Sequence, residues 1–209
     1  MNIHSLHHYL TNLSESEEHY RSGYPFSGWS QLPKVQIHGR EMYRMFPDNL
    51  IFSSMHGENP VSSQNFDIPV GLQDISIKRN SRFNPVPEHV HSHIEINYVY
   101  SGTCPQYIDG KPVLLKKDQV LLIDTDCPHS IDALGENDIM ISMLIRKEFL
   151  RDRMFSQFSK DSVLSRFFVN ALTEQTDHDH YLLFHSEKDR RIPLFFSELF
   201  CEFLDPSVN

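Results

Sequence analysis

The sequence lacks a cluster of basic residues. Its 19 lysines and arginines are scattered along the chain and are outnumbered by 28 aspartates and glutamates, which gives a net charge of −9 at neutral pH. Binding to a DNA backbone needs clustered cations that neutralise phosphates. We therefore expect that this polypeptide does not bind DNA by itself.

The sequence also has few cysteines and no long apolar run. Cys104, Cys127 and Cys201 are too few and too widely spaced for a disulfide framework or a CxxC zinc motif, so we expect reduced thiols. No uninterrupted apolar stretch approaches the length needed to cross a bilayer. The N-terminal residues lack the basic region and apolar stretch of a secretory signal. We expect a cytoplasmic protein that does not enter a membrane.

The chain divides into three segments by its patterning. Residues 1–65 have no sustained period and predict an N-terminal arm with short elements. Residues 66–145 contain short alternating runs separated by turn signals, such as Asp109-Gly110, which predict a β-barrel or a two-sheet sandwich. Residues 146–209 space their apolar residues three and four apart, which predicts a helical tail.

The helical tail contains two further signals. Asp161 or Ser162 is suitable as the N-cap of a helix. The final helix tolerates Pro193 only in its first turn. We expect its apolar side to pack on the barrel or on a second subunit, and the residues of that side are Leu194, Phe195, Leu199, Phe200 and Phe203.

The stretch from His89 to Gly102, HVHSHIEINYVYSG, carries the most chemistry. Its β-branched and aromatic residues predict a strand. Residues two apart on a strand point to the same face, so four polar groups would line one wall: His89, His91, His93 and Glu95. Imidazoles and a carboxylate are suitable ligands for a transition metal and suitable hydrogen-bond partners for a small polar molecule.

The spacing of this stretch resembles the first motif of the cupin superfamily, which reads HxH, three or four residues, E, six residues, G. Here the fixed positions are His89, His91, Glu95 and Gly102. Residues 118–133 resemble the second cupin motif, with Pro128 and His129 as its PH pair. The sequence departs from the family before HxH, where Phe83 replaces a glycine. It also departs at four positions of the second motif, which are Asp118, Asp124, Asp126 and Ala133.

This resemblance implies a mainly β fold, a cupin-type double-stranded β-helix (a jelly-roll barrel) with an N-terminal arm and C-terminal α-helices. The order of barrel, helices, the segment YLLFHS and a last helix is similar to the effector-binding half of AraC/XylS-type transcription regulators. That similarity implies binding of a small effector, such as a sugar, and transmission of its occupancy to a DNA-binding domain. We expect the helix-turn-helix domain to follow Asn209, and we expect a homodimer through the apolar terminal helix.

Three interpretations of the site remain open from the sequence. The first is an effector-binding pocket lined by His89, His91, His93, Glu95 and His129. The second is a divalent metal site for Zn, Fe, Mn or Ni, with the ligands His89, His91, Glu95 and His129. The third is a structural cluster without a ligand. We expect no catalytic residue, and the alternative function is a metal-dependent cupin enzyme, a dioxygenase or an isomerase.

Overall fold

The computed structural model describes residues 1–45, 74–154, 162–173 and 179–205. These residues form two β-sheets. Sheet A has six strands in the spatial order β1 (Lys34–Ile37), β2 (Arg40–Arg44), β4 (Val86–Val90), β9 (His129–Ile131), β6 (Thr103–Ile108) and β7 (Lys111–Lys116). Sheet B has five strands in the spatial order β11 (Tyr181–Phe184), β8 (Val120–Ile123), β5 (His93–Ser101), β10 (Ile139–Arg146) and β3 (Ile75–Arg79).

All neighbouring strands are antiparallel except β2 and β4, which pair in parallel. The pairing of β2 with β4 attaches residues 34–44 to sheet A, although the sequence placed them in the N-terminal arm. The hairpin between β6 and β7 is confirmed. Asp109 and Gly110 take φ angles of 48° and 75° at its turn, the left-handed values that a tight hairpin needs.

Helices cover the outer face of sheet B. They are α1 (Ile3–Thr11), α2 (Glu15–Arg21), α3 (Val163–Thr173) and α4 (Arg191–Leu204), with a short 3₁₀ helix at Gly28–Gln31. Helix α1 packs on α4, and the amino group of Met1 lies 2.8 Å from the Asp205 carboxylate. No helix within the described ranges is long and apolar enough to span a membrane.

Strand β5 separates two apolar cores because its side chains alternate between two faces. Val99 packs with residues from both sheets, so this core fills the space between the sheets. Ile94 and Tyr98 point the other way and pack with the helices. The interior of the protein therefore has two separate parts, the barrel interior and the layer under the helices.

The apolar side of α4 is partly different from the predicted one. Leu199, Phe200 and Phe203 pack in the core under the helices, as predicted, but Leu194 and Phe195 are exposed. The sequence did not predict that this helix packs on Tyr98. Phe196 stacks on the Tyr98 ring, with the ring centroids 4.4 Å apart. The sequence pattern alone fits two adjacent faces of the helix equally well. The contact with Tyr98 places Phe196 on the buried face.

The segment after Ile145 is less helical than its pattern predicts. Strand β10 continues through Arg146, then a short α-helical turn spans Lys147–Phe149 and a π-helix spans Leu150–Met154. The rest of the predicted first helix lies outside the described residues. Ser162 does cap α3, since its Oγ accepts a hydrogen bond from the Ser165 N–H at 2.9 Å.

Candidate functional site

The predicted site residues are carried by both sheets. His89 on β4 and His129 on β9 are direct cross-strand partners in sheet A, with ring centroids 4.0 Å apart. Glu95 lies on β5 in sheet B, and His91 lies in the turn between β4 and β5. The prediction of one continuous strand was therefore wrong. The chain turns at residues 91–92 and crosses from one sheet to the other, which lets the first motif supply ligand atoms from opposite walls.

Four of the predicted residues meet in the barrel interior. One ligand atom from each of His89, His91, Glu95 and His129 lies within 4.8 Å of the other three. Their relative exposures are between 1% and 3%, so water does not surround them. At such burial a charged group needs a compensating charge close by.

Each of the three imidazoles is oriented by a backbone carbonyl at its Nδ1 atom. The pairs are His89 with the Pro87 carbonyl at 2.9 Å, His91 with that of His93 at 3.0 Å, and His129 with that of Cys127 at 2.8 Å. A carbonyl oxygen only accepts, so each Nδ1 carries the hydrogen and donates it. A neutral imidazole in this tautomer has a bare lone pair on Nε2.

Two of these Nε2 atoms face the same carboxylate oxygen. Glu95 Oε2 lies 2.7 Å from His91 Nε2 and 3.2 Å from His129 Nε2. A carboxylate oxygen and an imidazole lone pair are both acceptors, so they repel unless a positive charge lies between them. That charge is either a proton, which makes an imidazolium, or a metal ion.

The pKa values of three of these groups are shifted from their ordinary values. Burial, followed by the neighbouring His129 and His91, holds the pKa of His89 well below its ordinary value. Burial also lowers the pKa of His91, against the opposing effect of Glu95. Burial alone would raise the pKa of Glu95, but His129 and His91 hold it well below the ordinary value. These directions favour neutral rings at His89 and His91 beside an ionised Glu95, which are the protonation states that metal ligands require.

Three residues in turns near the site adopt left-handed backbone angles without being glycines. Phe83, Asp118 and Asp126 occupy glycine positions of the cupin motifs, and all three adopt positive φ, between 56° and 65°. The Asp126 N–H donates to the carbonyl of His91 at 2.8 Å. The left-handed turn at Asp126 thus fixes the backbone of a site residue.

His93 does not join the cluster. Its ring lies 6.5 Å from that of His91 at a T-shaped angle, and it borders a cavity of about 390 Å³ at the rim of the barrel. The cavity is also lined by Ser92, Thr125, Asp126, Arg146, Lys147 and Glu148. His93 is the first residue of β5, so its side chain lies at the end of the strand, at the rim of the barrel.

Asn97 is a polar residue of the interior that the sequence did not predict. Asn97 follows Glu95 by two residues on β5 and is completely buried on the same face. The same alternation that selected Glu95 contains this signal, but an asparagine in a strand carries no motif.

Two facing sheets with three imidazoles and a carboxylate between them agree with a cupin-type barrel. The family model described as the AraC-like ligand binding domain matches residues 77–145, which include all four clustered residues. Residues 77–145 are thus similar in sequence to AraC-like ligand binding domains. The predicted fold class, mainly β with a cupin-type barrel, is confirmed by this match and by the two sheets.

Several solved structures are similar to part of the chain. A cupin 2 conserved barrel domain protein from Leptotrichia buccalis is 24% identical, with a TM-score of 0.33 over 37% of this chain and 38% of that chain. KdgF from Halomonas sp. is 20% identical, with a TM-score of 0.32 over 34% of this chain and 68% of that one. A conserved protein of unknown function from Streptococcus pyogenes is 18% identical, with a TM-score of 0.33 over 37% and 68% of the two chains. No curated protein matches the sequence.

Proposed function

We propose that this protein is the effector-sensing part of an AraC-type transcription regulator, and that its effector site is built on a divalent transition metal. The ligands of the metal are His89, His91, Glu95 and His129. The observation that carries this proposal is the pair of imidazole lone pairs facing Glu95 Oε2 at 2.7 and 3.2 Å. The Nδ1–carbonyl hydrogen bonds support it, because such outer contacts fix the tautomer and direction of metal-binding histidines.

The ligand set suits Zn, Fe, Mn or Ni, which bind imidazole nitrogen together with carboxylate oxygen. Four protein ligands leave coordination positions open on metals that prefer five or six, and there the bound metal would supply an electrophilic position for an oxygen of the effector. The protein residues hold this position away from bulk water, since all four ligands are buried. The four ligands come from both sheets, so a bound metal would connect sheet A to sheet B and stabilise the barrel.

A contact path leads from the site to the C-terminal helix. Glu95 and Tyr98 are three residues apart on β5, with Glu95 inside the barrel and Tyr98 under the helices. Tyr98 stacks on Phe196 of α4, with the ring planes 7° apart. We propose that occupancy of the barrel changes the packing of α4 and, through it, a helix-turn-helix domain that follows. The effector drives this change only by its difference in affinity for the two states.

Metal analysis of protein purified without chelator tests the site. We expect about one transition metal per chain, and a chelator should lower the thermal midpoint because a ligand bound only to the folded state stabilises it. His129→Ala should lose the metal, whereas His93→Ala, which alters no clustered side chain, should keep it. Far less than one equivalent of every transition metal, with no increase in the thermal midpoint when metals are added, contradicts the metal site.

The regulatory part of the proposal has a separate test. We propose a sensor and not an enzyme, because residues 77–145 match a ligand-binding family. The coding sequence beyond codon 209 should encode a pair of helix-turn-helix units. A stop codon at that point contradicts the regulator, and turnover of a substrate by the metal-loaded protein would favour the metal-dependent enzyme.

A further inference from the structure

Two buried amide side chains in the barrel each have an open hydrogen-bonding position. Asn97 on β5 is 0% exposed and Gln106 on β6 is 1% exposed. Asn97 Nδ2 and Gln106 Oε1 have no hydrogen-bond partner among the residues that the structure describes. Buried polar atoms of folded proteins nearly always have a partner, either in the protein or in a bound molecule. The two open positions therefore point to a bound group.

Both amides lie in the barrel interior, and Asn97 follows Glu95 on β5, on the side away from the β4–β5 turn. Asn97 Oδ1 accepts a hydrogen bond from Ser142 Oγ at 2.5 Å, and Gln106 Nε2 donates to Met140 Sδ at 3.0 Å. Ser142 and Met140 are two residues apart on β10, which places them about 7 Å apart on one face. Asn97 approaches this region from sheet B and Gln106 approaches it from sheet A.

A chain of hydrogen bonds orients Asn97. Asn80 Nδ2 donates to Ser142 Oγ at 2.7 Å, and Ser142 Oγ donates to Asn97 Oδ1. The Nδ2 group of Asn97 is left at the end of this chain as a donor. Such chains strengthen their members, so an acceptor at this end would be bound well.

Gln106 is held at one end by two sulfur atoms. Its Nε2 group donates to Cys104 Sγ at 3.4 Å and to Met140 Sδ. If the amide were flipped, Oε1 would face the sulfurs and Nε2 would be open instead. One end of the amide is therefore open in either orientation. A hydroxyl oxygen fits both positions, because it accepts from Asn97 and either donates to or accepts from Gln106. With Gln106 Oε1 as the open atom, a carboxylate cannot donate to it, and an ammonium group cannot accept from Asn97.

We infer that the barrel holds a hydroxyl oxygen between Asn97 and Gln106, which is either a hydroxyl group of the effector or a resident water molecule. This inference rests on the proposed function only in placing the effector inside the barrel. If the oxygen belongs to the effector, the effector carries a hydroxyl group at its innermost end. That end would lie beyond the four clustered residues. This position is a second polar layer, separate from the metal ligands.

A matched pair of substitutions tests occupancy of the position. Gln106→Met replaces the amide by an apolar side chain of similar length. Gln119→Met is the control, because the buried Gln119 amide is satisfied by the Lys116 N–H, His185 and Glu187. If the position is occupied, Gln106→Met should lower the thermal midpoint about as much as the control does, roughly 2–4 °C for each kcal/mol of lost stability. If Gln106→Met instead raises the midpoint, the amide is unsatisfied in the protein and the inference is wrong.

Native mass spectrometry of the purified chain separates the two sources of the oxygen. A bound organic mass that Gln106→Met loses identifies an effector hydroxyl, whereas a chain without organic mass but with the lowered midpoint identifies water. Metal content is measured on the same samples. Gln106→Met should retain the metal, so loss of the metal site and loss of the hydroxyl position are distinguishable.

Discussion

Glu17 and Arg82 form a doubly hydrogen-bonded ion pair that joins the N-terminal helices to the barrel. The Arg82 Nε and NH2 groups each donate to the Glu17 carboxylate at 3.0 Å, and the Arg82 backbone N–H donates to it as well. Arg79 adds a further bond at 2.9 Å. Glu17 is 0% exposed, so the two guanidinium groups replace water as its surroundings.

This ion pair predicts that removing the buried Glu17 charge lowers the free energy of unfolding far more than removing an exposed carboxylate. Glu17→Gln leaves two buried guanidinium groups without a compensating charge, and we expect a loss of about 3 kcal/mol in the free energy of unfolding. The control Glu18→Gln removes the neighbouring carboxylate, whose pair with Arg21 is about half exposed, and should cost at most about 0.5 kcal/mol. Urea unfolding measures both, and equal losses would show that the buried cluster does not anchor α2.

The buried imidazoles predict that stability falls as pH falls when no metal is bound. The pKa of His89 is lowered well below 6.5 in the folded protein, while in the unfolded chain it takes its ordinary value. Below pH 6.5 the unfolded chain therefore binds a proton that the folded chain does not. The difference at His89 alone should decrease the free energy of unfolding by about 1.4 kcal/mol for each pH unit below 6.5, until the folded pKa is reached, and the lowered pKa of His91 adds to this slope.

Unfolding in the presence of chelator between pH 7.5 and pH 5 measures this slope. His89→Asn removes the titrating group and should give a smaller slope over the same range. His185→Asn, which alters an exposed imidazole, serves as the matched control and should keep the wild-type slope. A wild-type stability that does not change across this range would show that the cluster is already protonated in the folded state.

The sequence was sufficient to predict that four residues from separate segments meet at the site. A single sequence is enough to recognise the spacing of His89, His91 and Glu95, with His129 following 34 residues after Glu95. The crossing between sheets at residues 91–92 was not predictable, because alternation has the same appearance on one strand and on two strands separated by a short turn. His93 was placed in the pocket for that reason.

Contacts between distant segments were beyond the reach of the pattern. Nothing local at Glu17, Arg79 or Arg82 distinguishes these residues from surface charges, because their burial depends on how α1 and α2 pack on β3. The same is true of Gln106, whose partners lie on β6 itself and on β10. Periodicity gives the direction of a side chain but not its neighbour across the core.

Two adjacent phenylalanines on α4 test the orientation of that helix. Phe196 is 7% exposed and stacks on Tyr98, whereas Phe195 is 61% exposed. Phe196→Ala removes a buried ring and should cost about 3 kcal/mol of stability. Phe195→Ala should change the stability of the monomer by less than about 0.5 kcal/mol. Thermal or urea unfolding compares the two variants, and a larger loss for Phe195→Ala would mean that α4 presents its other face to the barrel.

Gly102, the last fixed position of the first cupin motif, is required for two separable reasons. It has a φ of 70°, and a Cβ atom there would lie 2.0 Å from Asp138 Oδ1 and 2.9 Å from the Asn137 carbonyl oxygen. Asp138 cannot move away cheaply, because it accepts hydrogen bonds from the Thr103 N–H at 2.8 Å and the Gly135 N–H at 2.9 Å. An alanine at residue 102 therefore combines backbone strain with the loss of these bonds.

Gly39 isolates the first of these effects. It has a φ of 76°, and a Cβ atom there would meet nothing within 4 Å. Gly39→Ala should cost about 1–2 kcal/mol, the penalty for a side chain in the left-handed region. Gly102→Ala should cost about 2 kcal/mol more, because it also breaks charge-assisted hydrogen bonds to Asp138. If urea unfolding gives equal losses for the two variants, the close contact with Asp138 contributes nothing, and the glycine of the motif is required only for its backbone angle.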